Sequence, residues 1–281
     1  MSFQASLSGI PLQSAHADGG VLRYRVAGRN GRVTHVLLHG IGSASASWVL
    51  QLQAAQGDDR VQLLAWDAPG YGASSALPAE SPRATDYAAR LWTWLDAVGA
   101  TEPVVLVGHS LGALMATRAA AERPDRVGRL LLLAPARGYG SAPAAERERR
   151  LNERLATLQS LGPAGMADRR AAAMLSPNAS AEQVAFVHDT MAQVVPAGYV
   201  QAARLLAGGD LIGDLLRVRC PIAVACGAAD TITPPEACAA VAQAAGVALQ
   251  DLGPVGHACP LEAAAAVNQL LGLDPSPRLA P

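Results

Sequence analysis

The sequence predicts an α/β fold in which a mostly parallel central sheet carries helices on both faces, with a helical segment inserted before the last strands. Three observations predict it. Short apolar runs bounded by turn residues alternate with Ala/Leu-rich helical patterns; the alternation lapses once, between about Ala136 and Gly213; it then resumes towards the C-terminus. Strands alternating with helices imply parallel pairing through crossover connections, with ligands gathering at the carboxyl ends of the strands.

The strand candidates are Val21 to Val26, Val33 to Leu38, Val61 to Trp66, Val104 to Val107, Val127 to Leu133, Pro221 to Cys226 and Val247 to Leu252. Helical spacing of three and four runs through Asp86 to Val98, Leu111 to Glu122, Pro235 to Ala245 and Glu262 to Leu271. Between Ala136 and Gly213 no strand pattern appears, and helical stretches break at Gly162-Pro163, Ser176-Pro177, Pro196 and Gly208-Gly209. The expected division is therefore a core over residues 1–135, a helical cap over 136–213 and the rest of the core over 214–281. The tail from Asp274 is expected to be loose.

Composition removes several function classes. With 281 residues, 51% hydrophobic and 16% charged, the chain has ample apolar surface for one core with an insertion. A formal charge of -1 lacks the basic excess of a nucleic-acid binder. All basic residues are Arg and none is Lys, so a Walker-type phosphate loop, a Lys Schiff base and a Ser-Lys dyad are all out of reach. Cys220, Cys226, Cys238 and Cys259 lack zinc-site spacing and read as idle thiols, so no metal is expected. The N-terminal M-S-F-Q-A-S-L-S has no leader pattern and no apolar run is long enough to span a bilayer; no membrane association and a cytoplasmic location are expected.

The chemistry concentrates at Gly108-His109-Ser110-Leu111-Gly112, which follows one strand and opens a helix. A Ser on so sharp a turn adopts strained dihedrals, and the flanking glycines let strand and helix pass closely. The Leu111 N–H then lies at a helix start, where unpaired donors favour developing negative charge. A Ser hydroxyl needs a base, usually a His held in one tautomer by a carboxylate. Of the six histidines only His188 and His257 follow Ser110. His188 sits in the amphipathic stretch Glu182 to Gln193 and reads as a surface or packing residue. His257 ends Gly253-Pro254-Val255-Gly256, a loop after a strand, where functional residues gather.

Asp230 lies just beyond the strand ending at Cys226, whereas its rivals Asp210 and Asp214 precede that strand, and Ala134 to Ala145 holds no acid. A second oxyanion donor is expected at the Ile41 N–H of His39-Gly40-Ile41-Gly42. That segment mimics a dinucleotide fingerprint, but Ser45 stands where the third glycine belongs. Asp67-Ala68-Pro69-Gly70-Tyr71-Gly72 reads as a turn supporting the Gly40 loop. Trp48, Tyr139, Phe186, Met191 and Tyr199 are candidate substrate liners, and Glu146 to Arg150 reads as a solvated charged face.

In their order these motifs resemble the α/β-hydrolase family from Val21 to about Leu271. The resemblance implies that family's fold, a Ser110, Asp230 and His257 triad, and hydrolysis without a cofactor. Members with a compact helical cap look most similar: carboxylesterases, enol-lactonases and meta-cleavage product hydrolases. His109 before the nucleophile is the esterase-like residue, whereas carbon–carbon hydrolases usually carry Asn there, and Ser110 argues against epoxide hydrolases and haloalkane dehalogenases. The expected activity is cleavage of a small to medium carboxylic ester or lactone by a monomer or small homo-oligomer. The alternatives are carbon–carbon hydrolysis of a vinylogous diketone, and a non-catalytic ligand-binding protein on the same fold.

Overall fold

Alternation along the buried strands decides the layering. Val36 and Leu38 pack into one apolar cluster and Leu37 into another; Leu130 and Leu132 part from Leu131 and Leu133 in the same way. A strand apolar on both faces belongs inside a sheet covered on both sides. The computed structural model describes residues 2–17 and 19–273, so the tail from Asp274 lies outside the described residues.

Eight strands form the sheet: β1 (Leu12–Ala17), β2 (Gly20–Gly28), β3 (His35–Leu38), β4 (Gln62–Trp66), β5 (Val104–His109), β6 (Val127–Leu133), β7 (Ile222–Cys226) and β8 (Leu249–Asp251). Their order is β1-β2-β4-β3-β5-β6-β7-β8. The β1–β2 and β2–β4 pairs are antiparallel, and the remaining pairs are parallel. β1 is an addition to the expected strands. Only Ala15 of its residues is buried, so it is a polar edge strand without the apolar run that marks the others.

The helices before the insertion are α1 (Phe3–Ser8), α2 (Val49–Ala55), α3 (Ala84–Ala97) and α4 (Leu111–Glu122). Between β6 and β7 lie α5 (Ala144–Arg170), α6 (Ala181–Ala192), α7 (Pro196–Gly208) and α8 (Leu211–Leu215), with no strand among them. The break expected at Gly162-Pro163 is present: Gly162 takes a φ of 65° inside α5. Closing the chain are α9 (Pro235–Ala244), α10 (Cys259–Glu262) and α11 (Ala264–Leu270). α3 and α4 contribute to one apolar cluster, and α2 and α11 to the other.

Two close approaches fix the nucleophile turn. A Cβ on Gly108 would stand 2.6 Å from the Ala113 Cα, and one on Gly112 would collide with the Leu38 carbonyl at the end of β3. Gly112→Ala is therefore expected to push α4 off the sheet and to cost about 1–3 kcal/mol as an overpacked site. Urea unfolding checks this, and an unchanged midpoint would mean that the contact is not restrictive.

Candidate active site

Ser110 occupies the junction of β5 and α4 with φ 52° and ψ -118°, a conformation L-residues rarely adopt. The neighbouring strand anchors the turn: the Ser110 N–H donates to the Leu133 carbonyl (3.0 Å), and the Ser110 carbonyl accepts from Ala113 (3.0 Å) and Ala136 (3.1 Å). Leu111 is the first residue of α4, so its N–H has no intrahelical acceptor. A Cβ on Gly40 would lie 2.9 Å from that of Ser110, which brings the β3 loop directly against the nucleophile turn. Ile41 and Leu111 both line the cavity onto which Ser110 and His257 open.

The Gly40 loop is held by the turn after β4, in the supporting role read from the sequence. His39 Nε2 accepts from the Ala68 N–H (3.0 Å), so its proton is on Nδ1, which donates to the Gly40 carbonyl (2.8 Å). Ser45 N–H donates to Asp67 Oδ1 (2.8 Å) and Gly42 N–H to the Tyr71 hydroxyl (3.4 Å). Burial lowers the His39 pKa, in keeping with this neutral role.

Asp230 and His257 meet at 2.8 Å, Oδ2 to Nδ1, both almost fully buried. Burial alone would raise the Asp230 pKa; the hydrogen bond from His257 and those from the Thr233 and Ile232 N–H groups outweigh it, and the net shift is downward. Asp230 Oδ1 accepts from Ile232 (2.8 Å) and Thr233 (3.0 Å). An ionised Asp230 fixes the His257 proton on Nδ1, which leaves Nε2 as an acceptor. Nε2 is buried and has no hydrogen-bond partner among the described residues. His257 and Ser110 line the same cavity.

Two residues that the sequence reading missed hold this pair. The Thr233 hydroxyl lies 2.9 Å from Asp230 Oδ2, 3.1 Å from His257 Nδ1 and 3.0 Å from the Ala134 carbonyl. Because Nδ1 already carries a proton, the hydroxyl donates to one of the two oxygens. Glu262 accepts from the Gly256 N–H (2.9 Å) and from Ser176 (N–H at 3.0 Å, hydroxyl at 2.5 Å), tying the histidine loop to the inserted helices. The Asp230-x-x-Thr233 spacing is a side-chain turn signal that could have flagged Thr233; nothing in the sequence flags Glu262.

The rival residues have other work. Asp210 caps α8 through the Gly213 N–H (3.0 Å), and Asp214 pairs with Arg118 of α4 at 2.5 Å. His188 is half-buried between Asp168 (2.9 Å) and Asp189 (3.2 Å), whose hydrogen bonds raise its pKa. Cys226, Cys238 and Cys259 are buried and Cys220 half-buried, all with free thiols.

The cavity over Ser110 has a volume of about 660 Å³. Tyr139, Met191 and Tyr199 line it, and Phe186 lines a smaller adjoining pocket with Ser110 and His257. Trp48 is different: fully buried beneath the site, its ring edge-on to His109 at 6.3 Å, it lines neither space and packs in the core. The Glu146 and Arg150 pair, read as a solvated face, does form its ion pair (2.9 Å), but both residues border the cavity.

His109 Nε2–H donates to the His257 carbonyl (2.8 Å). Burial, aided by the neighbouring His257, lowers its pKa to about 3, and burial lowers that of His35 to about 4. Both are neutral in the folded protein and titrate near pH 6.5 when unfolded. Unfolding therefore takes up protons below that pH, so stability is complete above about pH 6.5 and declines as the pH falls. Each such proton contributes a slope of up to about 1.4 kcal/mol per pH unit. Urea midpoints measured from pH 8 to 4.5 are expected to fall, less steeply in His35→Gln; a flat profile would contradict the neutral assignment.

The profile of the Alpha/beta hydrolase family matches residues 36–270. A (Lyso)-N-acylphosphatidylethanolamine lipase from Homo sapiens is 34% identical over 110 residues, 38% of this chain and 31% of that protein. The chain thus spans about a third of the length of the mammalian lipases it matches. Among solved structures, the enol-lactonase from Burkholderia xenovorans LB400 superposes with a TM-score of 0.80 at 21% identity, covering 92% of this chain and 98% of that one. A malate-bound thermophilic esterase from Thermogutta terrifontis gives 0.79 at 22% identity, covering 93% and 97%. At these identities the two structures speak for the fold. The profile spans most of the chain, and the protein belongs to the alpha/beta hydrolase family.

Proposed function

We propose that this hydrolase cleaves a small to medium carboxylic ester or lactone through an acyl-enzyme on Ser110. The observation that carries the reading is the buried Asp230–His257 pair: its Nε2 is left without a partner among the described residues, and His257 lines the same cavity as the strained Ser110. His257 Nε2 takes the Ser110 proton as Oγ attacks the ester carbonyl, and then returns it to the leaving alkoxide. Water, deprotonated by the same nitrogen, attacks the acyl-enzyme, and the proton passes to Ser110 Oγ as the acid leaves.

Asp230 holds the imidazole tautomer and stabilises its charged form. The N–H groups of Leu111 and Ile41 receive the oxyanion, a contribution of about 3 kcal/mol per donor in comparable sites. Residues 136–213 act as a cap over the cavity, with Tyr139, Met191 and Tyr199 shaping the acyl or alcohol subsite. Neither a cofactor nor a metal is needed for these steps.

A panel of 4-nitrophenyl esters, simple lactones and a ring-fission dienoate tests the reading. Turnover of esters or lactones with little on the dienoate is the expected result. Turnover of the dienoate alone would replace it with carbon–carbon hydrolysis, and binding without any turnover would make the chain a ligand-binding protein.

A further inference from the structure

Four arginines, Arg137, Arg150, Arg154 and Arg170, line the cavity over Ser110. Three of them, with Tyr139 and Tyr199, also border a side hollow of about 170 Å³ in the same wall. Glu236 borders the main cavity but not the side hollow, and the other acidic residues of the two linings have partners. Glu146 pairs with Arg150, which also lies over the Tyr139 ring at 4.7 Å; Glu153 pairs with Arg149 at 2.6 Å; Asp210 caps α8.

Arg154 and Arg170 are left over. Both are half-buried, both come from α5 on either side of its Gly162 break, and neither has a hydrogen bond or ion pair among the described residues. They stand close enough that Arg154, after burial itself, lowers the Arg170 pKa. Two like charges held together, partly desolvated and without a counterion, are costly unless an anion joins them. The planar guanidinium fork is suited to a carboxylate or phosphate.

We infer that Arg154 and Arg170, flanked by Tyr139 and Tyr199, form an anion subsite, so that the substrate is an acidic ester or lactone carrying a second, non-reacting oxyanion. The inference rests on the ester or lactone reading for what is cleaved, but the subsite itself does not depend on it. The reacting carbonyl goes to Ser110 while the remote charge is held by α5, which fixes the direction in which the substrate lies.

Two matched measurements test this. The first compares kcat/KM for the 4-nitrophenyl hydrogen esters of glutarate and adipate with that for their neutral methyl diesters. The native protein is expected to favour at least one acid by about tenfold or more, as charge-assisted hydrogen bonds require. The Arg154→Gln, Arg170→Gln double variant should lose that preference, its kcat/KM on the acid falling to that on the diester, and a native-like urea transition reports that it folds. Equal rates on acid and diester in the native protein, or a preference that survives the double variant, would overturn the subsite.

The second titrates Ser110→Ala protein with glutarate, adipate and butyl phosphate by calorimetry, and repeats the titration with both arginines also replaced. Binding weakened about tenfold by the arginine changes supports the subsite even if no ester is turned over, and which anion binds separates carboxylate from phosphate. Absence of binding by all three anions would contradict it. Anion binding in a protein whose native form turns over no ester would count against the esterase reading alone.

Discussion

Ser110→Ala is expected to lower ester turnover by a factor on the order of 10⁵ to 10⁶, the loss typical when a nucleophile acting as one unit with its base is removed. Stability should barely change, because alanine keeps the Cβ and the hydroxyl lost makes no hydrogen bond among the described residues. Ser110→Gly separates chemistry from strain. It should be equally inactive, but more stable than the alanine variant by about 1 kcal/mol, since glycine alone occupies φ 52° without penalty. Urea midpoints for the two variants give the comparison; a less stable glycine variant would mean that the turn is not under strain.

Asp230→Asn is expected to cost about 10⁴ in kcat with little loss of stability, through the tautomer. Asp230 Oδ1 accepts from the Ile232 and Thr233 N–H groups, so the carbonyl oxygen of an asparagine must take that side. Its amide nitrogen then faces His257 Nδ1, 2.8 Å away in the native pair. An N–H donor there forces Nδ1 to accept, and the imidazole proton moves to Nε2, where it blocks removal of the Ser110 proton. A kcat within tenfold of the native value would mean that Asp230 does not orient the base. Asp230→Ala should add a folding defect, because it leaves both backbone donors unpaired.

Residues whose signal is local were readable from the sequence. β5 and α4 flank Ser110 as their apolar patterns require, and His257 and Asp230 lie in loops after β8 and β7. The parallel order from β3 to β8 follows from alternation, whereas β1 did not declare itself, because an edge strand with one buried residue has no apolar period to read. Trp48 resembled a liner by its place after the Gly40 loop, but a large ring near a tight turn is as readily core, and here it is fully buried.

What stayed hidden depends on distant pairings. Glu262 reaches Ser176 across 86 positions, and Thr233 reaches His257 across 24. No motif in the sequence singles out Arg154 or Arg170. The helix breaks between them at Gly162, with a φ of 65°, and both border the same hollow.

The most direct measurement of the central claim is site-mapped labelling by a fluorophosphonate, whose phosphorus reacts with a serine only when a base and oxyanion donors act together. The account predicts a single adduct on Ser110 in the folded protein, formed far more slowly in His257→Ala and absent after unfolding. An unlabelled Ser110 in folded native protein, or labelling that does not depend on His257, would contradict it.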